Sequence, residues 1–453
     1  MSEVADLLAG ARAGLAALAE RRARRARLLV DLVDGGLARV QGDWDAAAAV
    51  YRTVPVDPVV LAGLGLVDAV LVPVLVANIL GSAALLGGDL PTADRHLMAA
   101  LSVGLSTPAL SQLNAAGYLS LLMCERGELD AAQARALAVV GRASAAGLER
   151  AGQVAGAYLT LARVALDRAD LPEIDDWLGR VAELQAVAAE PHVRLVAALV
   201  LSAEREAIGD LEPALSGLRA TAPEIDLASL PRALQQRWLL REATLLAHLG
   251  DPLRAHALLD GMGRARSAAV ALDAARLLLL LGDQPAAVAA RKRLEPADHR
   301  RGQVSISLID TRLALAGGDE QAALDRLEDA LAAAAPASLR RPFLVGASDL
   351  RPLLERRVER GTVVPAFAVD LLERMSRAPV ATVEARRAVV DPLTDRERTI
   401  LRYLASTLSN AEIAAELYVS VNTVKTHERA LYRKLGVTNR RDAVGRARAL
   451  DGL

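Results

Sequence analysis

Apolar positions in this chain fall into runs with helical rather than alternating spacing, broken at intervals by short polar turns. The turns share one chemistry: a small residue, an acidic residue, then another apolar run. "GDWDAAAAVY" begins at Gly42, "GGDLPTADRHL" at Gly87, "RGELDAAQAR" at Arg126 and "RADLPEIDDWL" at Arg168. The series continues with "GDLEPALSGL" at Gly209, "GDPLRAHALL" at Gly250, "GDQPAAVAAR" at Gly282 and "GGDEQAALDRL" at Gly317. The acidic markers stand at 43, 89, 128, 170, 210, 251, 283 and 319, in steps of 32 to 46 residues. Glycine suits the left-handed residue that ends a helix, and a carboxylate suits the positive N-terminus of the next. Two helices per unit at such a period predict a helical-hairpin solenoid over residues 1–338.

The array resembles degenerate tetratricopeptide-like repeats, in which "G(D/E)LxxA" opens the second helix. Such solenoids imply a concave surface for a ligand or a protein. After it, "LRRPFLVGASDLRPLLERRVERGTVVPAFAVDLLERM" carries both phenylalanines of the chain, Phe343 and Phe367. Residues 339–375 are expected to form a helical cap with its own small core. Residues 376–392 lack a helical stripe and have prolines near both ends, which predicts an interdomain linker.

Residues 393–453 are predicted as a compact module of four short helices, near 395–406, 410–417, 421–435 and 440–450. Capping boxes mark three starts: Thr394 with Glu397, Ser409 with Glu412, and Asn439 with Asp442. Ser420 is a cap for the remaining one. "LYVS" is a tight turn joining the second and third helices, the arrangement of a helix-turn-helix. On a helical wheel Val424, His427, Leu431 and Leu435 share one side, whereas Asn422, Lys425, Thr426, Arg429, Tyr432 and Arg433 share the other.

Composition agrees with an all-α chain. Apolar residues make up 53% and aromatics only 2%, so alanine, leucine and valine supply the apolar mass. The net charge of −1 hides an asymmetry. Residues 420–448 hold eight basic and two acidic side chains, including two of the only three lysines, which points to an anionic partner. An uncharged stretch, Ala69–Gly88, is long enough to span a bilayer. Pro73, Asn78 and the flanking Asp68 and Asp89 make it a buried helix instead, so no membrane is expected. The single cysteine, Cys124, excludes an intrachain disulfide. With no basic stretch at the N-terminus to start a signal peptide, a cytoplasmic protein is expected.

The pattern "LTxRE…L…LSNxEIAAELxVSxNTVKTHxxxxYRKLGVxxRxxAV" resembles the DNA-binding domain of LuxR-type transcription regulators over the whole terminal module. An ordinary solvated helix would show the same wheel; the resemblance favours double-stranded DNA as the partner. It implies DNA contacts from Asn422, Thr423, Lys425, Thr426, Arg429, Tyr432, Arg433, Lys434 and Arg440. Those near the helix start suit base edges, and Tyr432, Arg433 and Lys434 suit phosphates. A homodimer on DNA and contact with RNA polymerase are further expectations. Thr407 stands where the family often has glycine. Glu428 replaces the usual apolar residue, three positions after Lys425, with which it is placed to pair. His427 is expected to pack rather than to act as acid or base.

Array, cap and terminal module together resemble the large ATP-binding, maltose-regulon-activator-like LuxR-type family. That family begins with an ATPase module, whose phosphate loop needs GxxxxGK[ST]. Lys292, Lys425 and Lys434 all lack that setting. Neither an ATP site nor another cofactor is therefore expected. The chain is either a natural short form or a fragment of a longer regulator. The six histidines are dispersed and no catalytic constellation is legible, so an enzyme is not expected. The expected function is a DNA-binding transcription regulator whose array senses a ligand or protein. The alternative is an interaction scaffold whose terminal module mainly dimerises, or binds DNA only within a larger complex.

Overall fold

In the computed structural model the described residues are 2–15, 18–65, 69–104, 110–187, 189–377, 395–404, 408–417, 421, 423–425 and 428. Most of them are helical, and no strand occurs among them. Two compact units divide the chain, Met1–Pro379 and Val380–Leu453.

The first unit is a run of helical hairpins. Hairpins 1 to 4 pair Glu20–Gln41 with Trp44–Tyr51, Leu71–Gly87 with Leu90–Ser102, Leu110–Arg126 with Leu129–Ala145, and Ala155–Arg168 with Pro172–Val187. Hairpins 5 to 8 pair Pro191–Ala207 with Leu211–Thr221, Arg232–His248 with Pro252–Met262, Ala268–Leu280 with Gln284–Lys292, and Arg300–Ala316 with Glu320–Ala334. Every acidic marker lies in the turn of one hairpin. There its N–H closes a 2.9–3.0 Å bond back to the first helix, as Asp43 does to Ala38 and Asp319 to Ala314. Those bonds are the long closure of a Schellman turn. At five of the turns the same residue then caps the second helix: Asp43, Asp89, Asp251, Asp283 and Asp319 each accept from a backbone N–H three residues on. Glu128 and Asp210 make no such side-chain bond. The residue before the marker is a left-handed glycine in seven turns; in hairpin 4 it is Ala169, at φ 60°.

Small residues let neighbouring helices approach closely. A Cβ on Gly117 would lie 3.1 Å from the Ala157 nitrogen, and one on Gly156 equally close to the Gly117 carbonyl carbon. Leu71–Gly87, most of the uncharged stretch, buries Val72, Val74, Val76, Ile79, Leu85 and Leu86 in the array core. Among the described residues no helix is long and apolar enough to cross a membrane.

In a simple solenoid each repeat meets only its neighbours. Here the chain also coils back on itself. The turn of hairpin 1 meets Ser229 and Leu230 just before hairpin 6, and that of hairpin 2 meets Ser267 at the start of hairpin 7. The turn of hairpin 3 meets Arg300 and Arg301 at the start of hairpin 8. The turn of hairpin 4 meets Arg340, whose N–H donates to the Asp167 carbonyl at 2.9 Å. Each contact thus joins a turn to chain about five hairpins further on, and two coils of a superhelix rest on each other.

The expectation of a separate cap core is corrected. Phe343 and Phe367 meet edge-to-face at 5.9 Å, but their cluster also contains Cys124, Leu129, Val164, Leu308 and Leu327. The helices Arg341–Leu344, Ala347–Glu359 and Pro365–Arg377 therefore finish the array core. A segment this short cannot bury two aromatic rings by itself, whereas the coil beneath supplies the missing apolar surface.

Arginine–carboxylate pairs bind the coils inside the array. Arg301 of hairpin 8 pairs with Asp167 of hairpin 4 at 2.5 Å and donates to the Cys124 carbonyl. Arg237 of hairpin 6 grips both oxygens of Glu125 in hairpin 3, at 2.8 and 2.7 Å. Arg241 and Arg341 converge on Glu206 at 2.9 and 3.0 Å. Although burial opposes ionisation, these guanidiniums hold Glu125, Asp167 and Glu206 below the usual carboxylate range.

Candidate nucleic-acid interface

The terminal unit is built on local caps and a small core. Asp395–Leu404 is its first described helix, and Ser409 opens the second, Asn410–Glu416. The Ser409–Glu412 box is reciprocal. Ser409 N–H and Oγ both donate to Glu412 Oε2 at 2.7 Å, while Glu412 N–H donates to Ser409 Oγ at 3.3 Å. The Ser409 backbone N–H, then its hydroxyl, holds the Glu412 carboxyl below its ordinary range. The boxes begun by Thr394 and Asn439 lie outside the described residues.

Ile400, Leu401 and Leu404 pack with Ile413, Ala414 and Val424, with Tyr403, Leu408 and Leu417 against them. Val424 anchors the third helix in that core: it is fully buried, and Val421, Thr423, Lys425 and Glu428 around it are helical. Lys425, one position on, is exposed, and Thr423 is half-buried. Val424 and Lys425 therefore sit on the inner and outer sides that the wheel assigns them. Of the candidate contacts, Asn422, Thr426, Arg429, Tyr432, Arg433, Lys434 and Arg440 lie outside the described residues, as do Thr407, His427, Leu431 and Leu435.

Glu428 has a partner that sequence reasoning missed. It accepts a 2.8 Å hydrogen bond from Asn410 Nδ2, which ties the third helix to the first turn of the second. The signal was a polar residue replacing an apolar one at the edge of the core face, opposite an asparagine at a helix start. Spacing along one helix pointed to Lys425 instead, because the partner across the turn is invisible to a wheel.

The sequence profile of the bacterial regulatory proteins, luxR family, matches residues 391–447. This segment is a LuxR-family helix-turn-helix domain. Its second and third helices are the pair joined by "LYVS", with the third the one that enters the major groove in helix-turn-helix proteins. The chain is also similar to the HTH-type transcriptional regulator MalT of Vibrio cholerae serotype O1, at 30% identity over 165 residues. That match covers 32% of this chain and 18% of the relative. A second is to MalT of Klebsiella pneumoniae, 43% identical over 84 residues, which cover 18% of this chain and 9% of the relative. The chain thus spans less than a fifth of the length of these curated relatives. Beside the LuxR-family domain, no cluster of three or more His, Cys, Asp or Glu side chains able to hold a metal occurs among the described residues.

Proposed function

We propose that the chain is a cytoplasmic, DNA-binding transcription regulator. Its terminal domain reads promoter DNA in the major groove, and its helical array binds a ligand or protein that controls this reading. The observation that carries the proposal is the exposed Lys425 beside the buried Val424, on the third helix of a domain matched by the luxR-family profile. The relatives named as transcriptional regulators support the same reading.

In this proposal Asn422, Thr423, Lys425, Thr426 and Arg429 face base edges, while Tyr432, Arg433, Lys434 and Arg440 hold phosphates. Bases specify and phosphates position. The protein acts as a homodimer on DNA, with RNA polymerase as a further partner. Replacing Lys425 or Arg429 by alanine should cost about 1–3 kcal/mol at a selected site and flatten sequence preference. Lys434→Ala should weaken selected and scrambled DNA alike and lower the salt slope by about one. Binding of each variant to both DNAs across a salt series is the test. Equal losses on both DNAs for Lys425→Ala and Arg429→Ala would reduce these side chains to neutralisers of phosphate.

A further inference from the structure

Six arginines converge inside the array: Arg163, Arg237, Arg241, Arg276, Arg301 and Arg341. They come from the first helices of hairpins 4, 6, 7 and 8 and from the helix that follows. Four carboxylates answer them. Glu125, Asp167 and Glu206 are paired in the interior as described, and Asp273 lies nearer solvent. The cluster therefore has more guanidinium than carboxylate, in a region where proteins seldom leave charge unmatched.

Arg276 is the guanidinium with least support. Among the described residues its ion-pair partner is Asp273 at 3.5 Å, three positions away on the same helix. Its neighbours are well engaged. Arg312 reaches Asp349 at 2.7 Å, Arg301 holds Asp167, and Arg241, Arg341 and His248 surround Glu206. Yet the Arg276 side chain keeps 30% of its surface accessible, so a solute can reach it. The local field agrees. Burial, with Arg312 and Arg301 adding to it, holds Arg276 below the usual guanidinium range despite Asp273 and Glu206. Burial likewise presses Arg341 down to about 10, with Arg241 and Arg276 working against Glu206.

We infer that the array binds a small oxyanion, a carboxylate or phosphate group of a soluble ligand, docked on the accessible Arg276 guanidinium. Planar guanidinium forks match both groups in bidentate geometry. This inference rests on the proposed reading that the array takes a controlling ligand, and gives that ligand a charge. A neutral ligand would leave the guanidinium excess in place.

The test uses the intact chain, with inorganic phosphate and succinate as probes at constant ionic strength set by sodium chloride. Thermal unfolding and calorimetry should show saturable binding of one probe, and which one saturates identifies the group. Arg276→Gln should weaken that binding about tenfold to a hundredfold, while Arg254→Gln, on an exposed second helix, should not change it. If Arg276→Gln does not fold, Arg276→Lys takes its place, with weakened binding still expected. Stabilisation equal to that from chloride, or full binding by the folded Arg276 variants, overturns the inference. Binding to a selected DNA site is measured on the same samples. A folded protein that binds DNA but neither probe loses only this inference, whereas one that binds no DNA loses the regulator reading itself.

Discussion

Arg301 in the array folds onto Asp167 and the Cys124 carbonyl, and Arg237 grips Glu125; in the terminal unit, Lys425 follows a fully buried valine and is exposed. The array uses its cations to close one coil on another, and the arginine fork suits that work because it spans two oxygens at once. Lysine is a hydrated point charge on a flexible stem, suited to a partner that arrives from solution. The difference explains why a chain so rich in arginine places two of its three lysines within residues 420–448.

Breaking an inter-coil pair gives the largest expected effect. Arg301→Ala takes from Asp167, which is 2% exposed, its closer guanidinium and leaves only the longer Arg163 pair at 3.5 Å. Removing one partner of a buried pair costs about 3–5 kcal/mol. Calorimetric unfolding of the array should fall accordingly, while the far-ultraviolet spectrum before melting stays helical. A loss below about 1 kcal/mol would show that the coils do not depend on this contact.

Glycine substitutions sharpen the same distinction within the array. Gly88 and Gly282 occupy equivalent turns, at φ 85° and 78°. A Cβ on Gly88 would lie 2.3 Å from the Ser267 Cβ of the next coil, whereas one on Gly282 meets nothing within 4 Å. Gly282→Ala should cost about 1 kcal/mol, the penalty of the left-handed backbone alone. Gly88→Ala adds overpacking and should cost about 2–4 kcal/mol in all. Equal losses by chemical denaturation would mean that the coils separate readily.

Acid should loosen the array before it titrates the inter-coil carboxylates. His192 is buried against Tyr118, 2.5 Å from its hydroxyl, and burial with Arg39 pushes its pKa down to about 3 from 6.5. An unfolded His192 takes up a proton below pH 6.5, and the folded one does not. Stability is therefore full above that pH and declines as pH falls, by about 2 kcal/mol between 6.5 and 5. His96 and His299 shift in the same direction from less buried sites. Unfolding at pH 5 and 7 should show the decline, and His192→Gln should remove most of it. A wild-type protein equally stable at both pH values would contradict the buried neutral imidazole.

The hairpin turns were legible because their chemistry is local: one acidic residue closes a Schellman turn and, at five of the eight turns, also caps the following helix. Ser409 and Glu412 were legible for the same reason. Ala169 shows the limit of a glycine rule, since a turn closed by its neighbours holds an alanine in left-handed backbone. The contacts of Arg301 and Arg237 were not legible, because their partners lie more than a hundred positions away. Nor was the shared core under Phe343 and Phe367, whose partners come from hairpins 3, 4 and 8. At the terminal site Val424 and Lys425 could be sorted by helical period, whereas Glu428 needed the fold to bring Asn410 beside it.

The central claim is that the terminal domain reads DNA. Its most direct test is selection of bound fragments from a random pool by the intact protein, followed by affinity for the recovered sequence across a salt series. An enriched sequence is expected, with an affinity that falls linearly with salt on logarithmic axes and a slope of several released counterions. A folded protein that enriches no sequence and binds no DNA at low salt would contradict it.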